Sequence, residues 1–321
     1  MKAPKTRSVS SYHLLAGVLA VLLASLPASA ATWKSKASMP AARDGAAVES
    51  INGIVYVAGG YNGGDTPTLQ AFDPTTNTWT TLANMPGGRY QGDGAGVINS
   101  QLYVAGGWTI SPPLPNNTLF MYDPASNAWT TKAAMSHLSA CGGTGVINGK
   151  LYVTTGCDGN SGYRNFLDVY DPATNTWASL PGSASAHAGP ALGVINGKLY
   201  VGGGQNGVTG ITNVLEVYDP AANTWTTLAP MPTAVQNPAS VALNGQLYVF
   251  GGNNGTSDVT TVQVYDPHKN KWRTLSTFAL PATLSSSGGV VVYGLAFVEG
   301  GSSGGIILTT NQYVTFTPSI P

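Results

Sequence analysis

Charge is scarce in this chain of 321 residues, 9% of which are Asp, Glu, Lys or Arg, against about 25% in an average soluble domain. That scarcity excludes a coiled coil, a charged helical array and an acidic disordered tail. Histidine and cysteine are sparse too, at four and two residues. No apolar pattern of helical period occurs, and beyond residue 30 no apolar run approaches the roughly 20 residues that span a bilayer. Lys2, Lys5 and Arg7 supply three of the 14 basic residues, leaving 11 against 14 acidic ones from Ala31 onward. Nucleic acid, which needs a basic surface, is therefore not an expected partner.

Residues 1–30 read as a secretory signal: a basic start, an apolar stretch from Leu14 to Leu26, and the small-residue exit Ala28-Ser29-Ala30. Cleavage after Ala30 is expected, which makes the mature chain, residues 31–321, secreted or periplasmic with no membrane span. An uncleaved anchor is the alternative, but the apolar run of about 13 residues is short for one.

What the chain has in quantity is glycine, 41 residues, together with 21 prolines, and both recur on a period. A strand running into a glycine pair appears at Ile54–Gly60, Leu102–Gly107, Leu199–Gly204 and Leu247–Gly252, with degenerate copies at Leu151–Gly156 and Leu295–Gly301. The second glycines are 47, 49, 48, 48 and 49 residues apart. Before these strands stand Asn52-Gly53, Asn148-Gly149, Asn196-Gly197 and Asn244-Gly245, with Asn99-Ser100 and Tyr293-Gly294 in the other two units. Asn-Gly supports the paired positive φ angles of a tight type I′ hairpin. Further along come the Asp-Pro turns at Asp73, Asp123, Asp171, Asp219 and Asp266, each followed six residues later by a tryptophan: Trp79, Trp129, Trp177, Trp225 and Trp272. Asp-Pro opens a type I turn, so each unit holds two hairpins, or four antiparallel strands.

Six such units make an all-β, six-bladed β-propeller, in which radial repetition protects the sheet edges. The Gly-Gly pair, the spaced Tyr and Trp, and the period of about 48 residues resemble the kelch repeat family over essentially the whole chain from residue 31. The sixth unit has strands at Gly288 to Val292, Leu295 to Gly301 and Gln312 to Phe316, then ends without a Trp strand. Thr32-Trp33-Lys34 supplies that strand, so residues 31–37 are expected to complete the last blade and close the ring.

Recurrence separates structure from function. Tyr and Trp found in nearly every blade read as packing between sheets, the glycine pairs as close backbone approach near the axis, and the Asp-Pro carboxylates as turn groups. Cys141 and Cys157 fall within one residue of direct opposition across the Asn148-Gly149 hairpin, and a disulfide is expected, with two thiols as the alternative. A copper site like that of galactose oxidase would need a dedicated Tyr, Cys and His set, and only His137, His187 and His268 follow the leader. No metal or other cofactor is expected.

Candidate ligand residues are those that break six-fold equivalence. In the connections from strand four to the next strand one, Arg43 and Arg89 stand where the other blades have Ser139, Ala184, Val235 and Leu284. In kelch substrate-adaptor proteins such arginines face the channel mouth and hold acidic ligands, which the resemblance implies here. The alternative is that each Arg pairs with a carboxylate or carbonyl of a neighbouring blade. The connections after the glycine pairs present Tyr61, Trp108, Asp158, Tyr163, Arg164, Gln205, Asn206, Asn253 and Asn254, a mixture of rings and amides that suits a sugar or a peptide. His137 and His187 lie in consecutive connections facing the same mouth. Glu299, where the other copies have Ala58, Ala105, Thr154, Gly202 and Phe250, is the best candidate for an acid or base.

The expected function is therefore a secreted binding module, with a monomer favoured over an oligomer and binding over catalysis, that recognises a glycan or protein partner through the loops at the channel mouth. The alternative comes from resemblance to exported kelch proteins that are sialic acid mutarotases of the N-acetylneuraminate epimerase type. It casts Arg43 and Arg89 as carboxylate-holding groups and Glu299 as the proton carrier. A structural or adhesive display role is a third reading.

Overall fold

The structure, a computed structural model, describes residues 32–91, 94–158 and 162–316. The leader and its cleavage site lie outside these residues. Six four-stranded antiparallel sheets account for nearly all the secondary structure. The first blade is Ala47–Ile51, Ile54–Ala58, Leu69–Asp73 and Thr78–Leu82, and the pattern repeats through Ala239–Leu243, Gln246–Phe250, Val262–Asp266 and Lys271–Thr274 in the fifth. The sixth joins Gly288–Val292, Leu295–Glu299 and Asn311–Val314 to Lys34–Ser35 from the other end of the chain, with Lys34 opposite Tyr313 and Ser35 opposite Gln312. Closure by the N-terminal strand is thus as the sequence implied, although the paired segment is two residues long.

The local chemistry explains the blades. Asn52 and Gly53 sit at φ +52° and +84°, the left-handed pair that a type I′ hairpin needs. In the first Asp-Pro turn, Asp73 Oδ1 accepts from the Thr75 N–H at 2.8 Å and the Thr75 hydroxyl at 2.6 Å. The glycine pair ends strand two where the chain presses on the next connection. A side chain at Gly59, φ +69°, would place its Cβ 2.6 Å from the Arg89 carbonyl oxygen, so only glycine fits.

Between blades the tryptophans act as staples. The indole N–H of Trp79, Trp129, Trp177, Trp225 and Trp272 donates to the carbonyl of Ala37, Ala83, Ala133, Pro181 and Ala229 respectively, each in the preceding blade, at 2.7–2.8 Å. Trp33 makes the sixth such bond, to Phe278 O at 2.9 Å, and meets the Phe250 ring edge-on at 5.6 Å. Buried Val, Leu, Tyr and Phe from facing sheets fill the spaces between, as with Val48, Val55, Phe72, Val290 and Phe297 at the junction of the first and last blades.

Candidate functional site

Six residues, one from each connection between strand four and the next strand one, meet around the axis: Gly45, Gln91, Cys141, Gly189, Asn237 and Ser286. Each donates its backbone N–H to the carbonyl of its counterpart in the preceding blade at 2.6–2.8 Å, and the ring closes from Gly45 N to Ser286 O. All six are left-handed, with φ between +44° and +67°. Glycine adopts this conformation freely, whereas Gln91, Cys141 and Ser286 do so at about 1–2 kcal/mol each. The closed circuit of hydrogen bonds holds them there and fixes where their side chains start.

Inside the ring runs the central channel, a cavity of about 470 Å³ walled by the innermost strands. Glu49 carries the one carboxylate among the described residues lining it. Its counterparts across the strand-two tyrosines and Phe297 are Gly96, Gly145, Gly193, Val241 and Val290. The Glu49 side chain is partly exposed to the channel space, and desolvation by the surrounding protein pushes its carboxyl up to about 7 against the partial compensation of the Ser50 N–H.

Outside the ring, on the mouth, lies a second cavity of about 480 Å³. It is lined by Tyr90, Gln91, Trp108, Pro113, Cys141, Cys157, Gly162, Tyr163, Ala188, Gln205, Gln236 and Asn237. Trp108 opens a short hairpin, Trp108–Ile110 against Pro113–Pro115, and its backbone bridges to Tyr90. Three aromatic rings and four amide side chains converge here, and among the described residues none of the lining is an Asp, Glu, Lys, Arg or His. Among the described residues, no cluster of three or more His, Cys, Asp or Glu could hold a metal ion.

Of the residues singled out in the sequence, Trp108, Gln205, Tyr163 and the two cysteines line this pocket. The others are placed elsewhere. Arg43 is 1% exposed. Its guanidinium donates inward to Gly59 O at 2.9 Å and Gln70 Oε1 at 2.8 Å, and burial pulls it down to about 10. Arg89 donates to Gly88 O at 2.6 Å and Thr118 Oγ1 at 2.9 Å while lying over the Phe120 ring. Both arginines are committed to their own blades, so the geometry goes against the resemblance-based expectation that they reach an acidic ligand at the mouth.

In blade four the counterpart of Arg43 is His187, not Ala184. His187 Nδ1 faces Gly203 O at 2.7 Å as Arg43 faces Gly59 O, and its Nε2 meets Glu216 at 2.9 Å in a fully buried pair. Burial pushes the Glu216 carboxyl up, but bonds from His187 and the Ser185 and Ala184 N–H groups outweigh this and leave it below the usual value. His137 pairs with buried Asp168 at 2.8 Å and stacks on Phe166. Neither histidine lines the mouth cavity.

Tyr61 bridges Asp44 and Asp65 and leans on Tyr90 at 5.5 Å. Asp158 holds Arg164, and Asn253 bonds Asp258 at 2.9 Å. Asn206 and Asn254 cap their own loop turns. Glu299 is 2% exposed, neither carboxylate oxygen has a hydrogen-bond partner, and burial holds it well above the usual range. It lines neither cavity and no ion pair joins it to Arg43 or Arg89. The expected disulfide is not formed: the sulfurs of Cys141 and Cys157 stand 3.0 Å apart, whereas an S–S bond is about 2.05 Å. Their near-opposition is nevertheless as expected, since Ala140 bridges Cys157.

Sequence reasoning missed Tyr90, Gln91, Gln236 and Asn237, which flank or occupy the ring, and it missed Glu49. Glu49 had a usable signal, a carboxylate at a position otherwise Gly or Val.

The family described as Attractin/LZTR1 beta-propeller matches residues 55–307. Kelch-like protein terF of Aspergillus terreus is 37% identical over 83 residues, which are 24% of this chain and 18% of that protein. Kelch-like ECH-associated protein 1A of Danio rerio is 35% identical over 107 residues, 32% of this chain and 17% of that protein. The chain thus matches less than a fifth of the length of these relatives. A solved structure titled "Structure of YjhT" superposes with a TM-score of 0.78 at 22% identity, covering 88% of this chain and 97% of that one, which is a likeness of fold. The matched span, the glycine pairs, the tryptophan staples and the six closed blades together make this chain a kelch-type propeller belonging to the Attractin/LZTR1 beta-propeller family.

Proposed function

We propose that the chain is a binding module whose mouth pocket takes the neutral sugar rings of a glycan. The observation that carries this reading is the pocket's lining: Trp108, Tyr90 and Tyr163 beside Gln91, Gln205, Gln236 and Asn237, with no ionisable acid or base other than thiols and phenols among the described residues. Aromatic faces cover the apolar C–H faces of a pyranose, while amides offer donors and acceptors together, as a ring of hydroxyls requires. The described lining offers a charged ligand no counter-ion. The fold likeness is compatible with the mutarotase alternative, but the lining favours it less, since Arg43 and Arg89 donate within their own blades and Glu299 lines neither cavity.

A fluorescently labelled chain applied to a glycan array tests the reading. Binding to neutral oligosaccharides that disappears in Trp108→Ala is expected. Binding confined to sialylated or uronic acid glycans, or unchanged by the substitution, overturns it, and silence across the array with capture of an apolar peptide would move the pocket to a protein partner. The reading also takes the chain to be exported. Recovery outside the cytoplasm with an N-terminus at Ala31 is the expected result.

A further inference from the structure

The two cysteines sit on the wall of the mouth pocket with their sulfurs in contact at 3.0 Å. Both backbones are pinned. Cys141 N and O belong to the hydrogen-bonded ring, bonding Gln91 O at 2.8 Å and Gly189 N at 2.6 Å, and Cys157 exchanges both its backbone bonds with Ala140 at 2.8 and 3.2 Å. Cys157 reaches this place because its strand, Lys150–Cys157, runs three residues beyond its five-residue counterparts through a register shift between Thr154 and Gly156. The remaining gap to a disulfide is roughly 1 Å.

The sulfurs are wired to the ligand-facing groups. The Trp108 indole N–H donates to Cys141 Sγ at 3.3 Å, and Cys141 Sγ donates to Gln91 Oε1 at 3.7 Å. Cys157 Sγ lies 3.2 Å from Ala140 O.

We propose that Cys141 and Cys157 form a redox-responsive site that sets the arrangement of Trp108 and Gln91, and so what the mouth pocket holds. Closure proceeds by exchange with a disulfide-bearing oxidant, either a small-molecule disulfide or a protein one. One cysteine thiolate attacks the oxidant's S–S bond and releases a first thiol; the other cysteine then attacks the mixed disulfide and releases the second. One S–S bond forms and one breaks, and the two electrons and two protons leave on the oxidant's sulfurs. With both S–H groups gone, Gln91 Oε1 loses its sulfur donor, and the Trp108 N–H faces a disulfide sulfur, a poorer acceptor than a thiol. A ligand stacked on Trp108 then binds the two states unequally, and by linkage it shifts the pair's redox equilibrium by the same factor. This holds whatever the ligand's chemistry.

The test equilibrates the full chain in glutathione buffers from fully reduced to fully oxidised, blocks the remaining thiols under denaturing conditions and weighs the intact protein. The expected result is one transition in which two blocking groups are lost together, with a change in tryptophan emission that Trp108→Phe removes and Cys157→Ser prevents. Mixed glutathione adducts without closure, or closure with unchanged emission, would overturn the proposal. Since Cys157→Ser could misfold, phenylarsine oxide supplies a check on the unmodified chain. It bridges paired thiols and should add once per chain with the same emission change; failure to add would also overturn the proposal.

Discussion

Trp33 carries the closure of the ring, and its removal has a calculable cost. The indole donates one hydrogen bond, to Phe278 O at 2.9 Å, and packs edge-on against Phe250. Trp33→Phe keeps most of the ring's area but deletes the donor. Phe278 is half-exposed, so water can replace part of the lost bond, and the loss is about 0.5–1.5 kcal/mol. Trp33→Ala also removes the packing. Full burial would make that about 3–5 kcal/mol, and for a half-buried ring about half as much is expected, about 1.5–2.5 kcal/mol. In a domain this large each kcal/mol shifts Tm by about 2–4 °C, so the alanine variant should melt roughly 3–10 °C lower. Urea unfolding followed by circular dichroism, with Trp129→Ala as the mid-ring comparison, measures both. A Trp33→Ala chain as stable as the parent, beside a clearly weakened Trp129→Ala chain, would refute closure through the N-terminal strand.

Three further outcomes are expected. Gly189→Ala should cost more than Gly197→Ala, because both residues have φ near +70° but only at Gly189 does the new Cβ fall 1.9 Å from Asn237 Oδ1; Gly197 should lose about 1–2 kcal/mol from conformation alone, and equal losses would argue against a crowded ring. Glu299 and Glu49 both have folded values above the unfolded 4.5. The folded chain therefore keeps protons that the unfolded chain releases, and stability is full below about 4.5 and falls as pH rises, by up to about 1.4 kcal/mol per pH unit for each group. Glu49→Gln should remove the part of that fall ending near pH 7, and Glu299→Gln its own part, which begins as pH rises past about 4.5, as read from denaturant midpoints across pH. Glu216 has the opposite sign: its lowered folded value means stability present above about 4.5 and lost as pH drops through the folded value, so Glu216→Gln should flatten the acid limb while lowering stability at neutral pH.

The fold was legible because each repeat carries its own turn chemistry. Asn52-Gly53 dictates one hairpin, Asp73-Pro74 the other, and Trp79 the neighbour it must reach, so register follows without long-range information. The closing strand was legible by subtraction, from a sixth unit lacking its Trp and a Trp33 lacking its unit.

The site was less legible, for reasons of direction. Arg43 breaks the repeat as a ligand residue would, but whether its guanidinium turns out to the mouth or in to Gly59 O and Gln70 depends on an acceptor 27 residues away on strand three. Blade four was misaligned at Ala184 because the true counterpart, His187, shares no chemistry with arginine beyond a donor for the same carbonyl. The ring was hidden for another reason. Gln91, Cys141 and Ser286 are poor left-handed residues, and only the circuit of hydrogen bonds through all six blades holds them there.

The central claim is that Trp108 and its amide neighbours bind neutral sugar. A thermal-shift comparison of the parent and Trp108→Ala chains, each against matched neutral and acidic sugars, tests it most directly. At a ligand concentration about 100 times its Kd the native state gains about 2.7 kcal/mol, several degrees of Tm in the parent and none in the variant. A rise with sialic or uronic acids alone, or one of equal size in Trp108→Ala, would contradict the account.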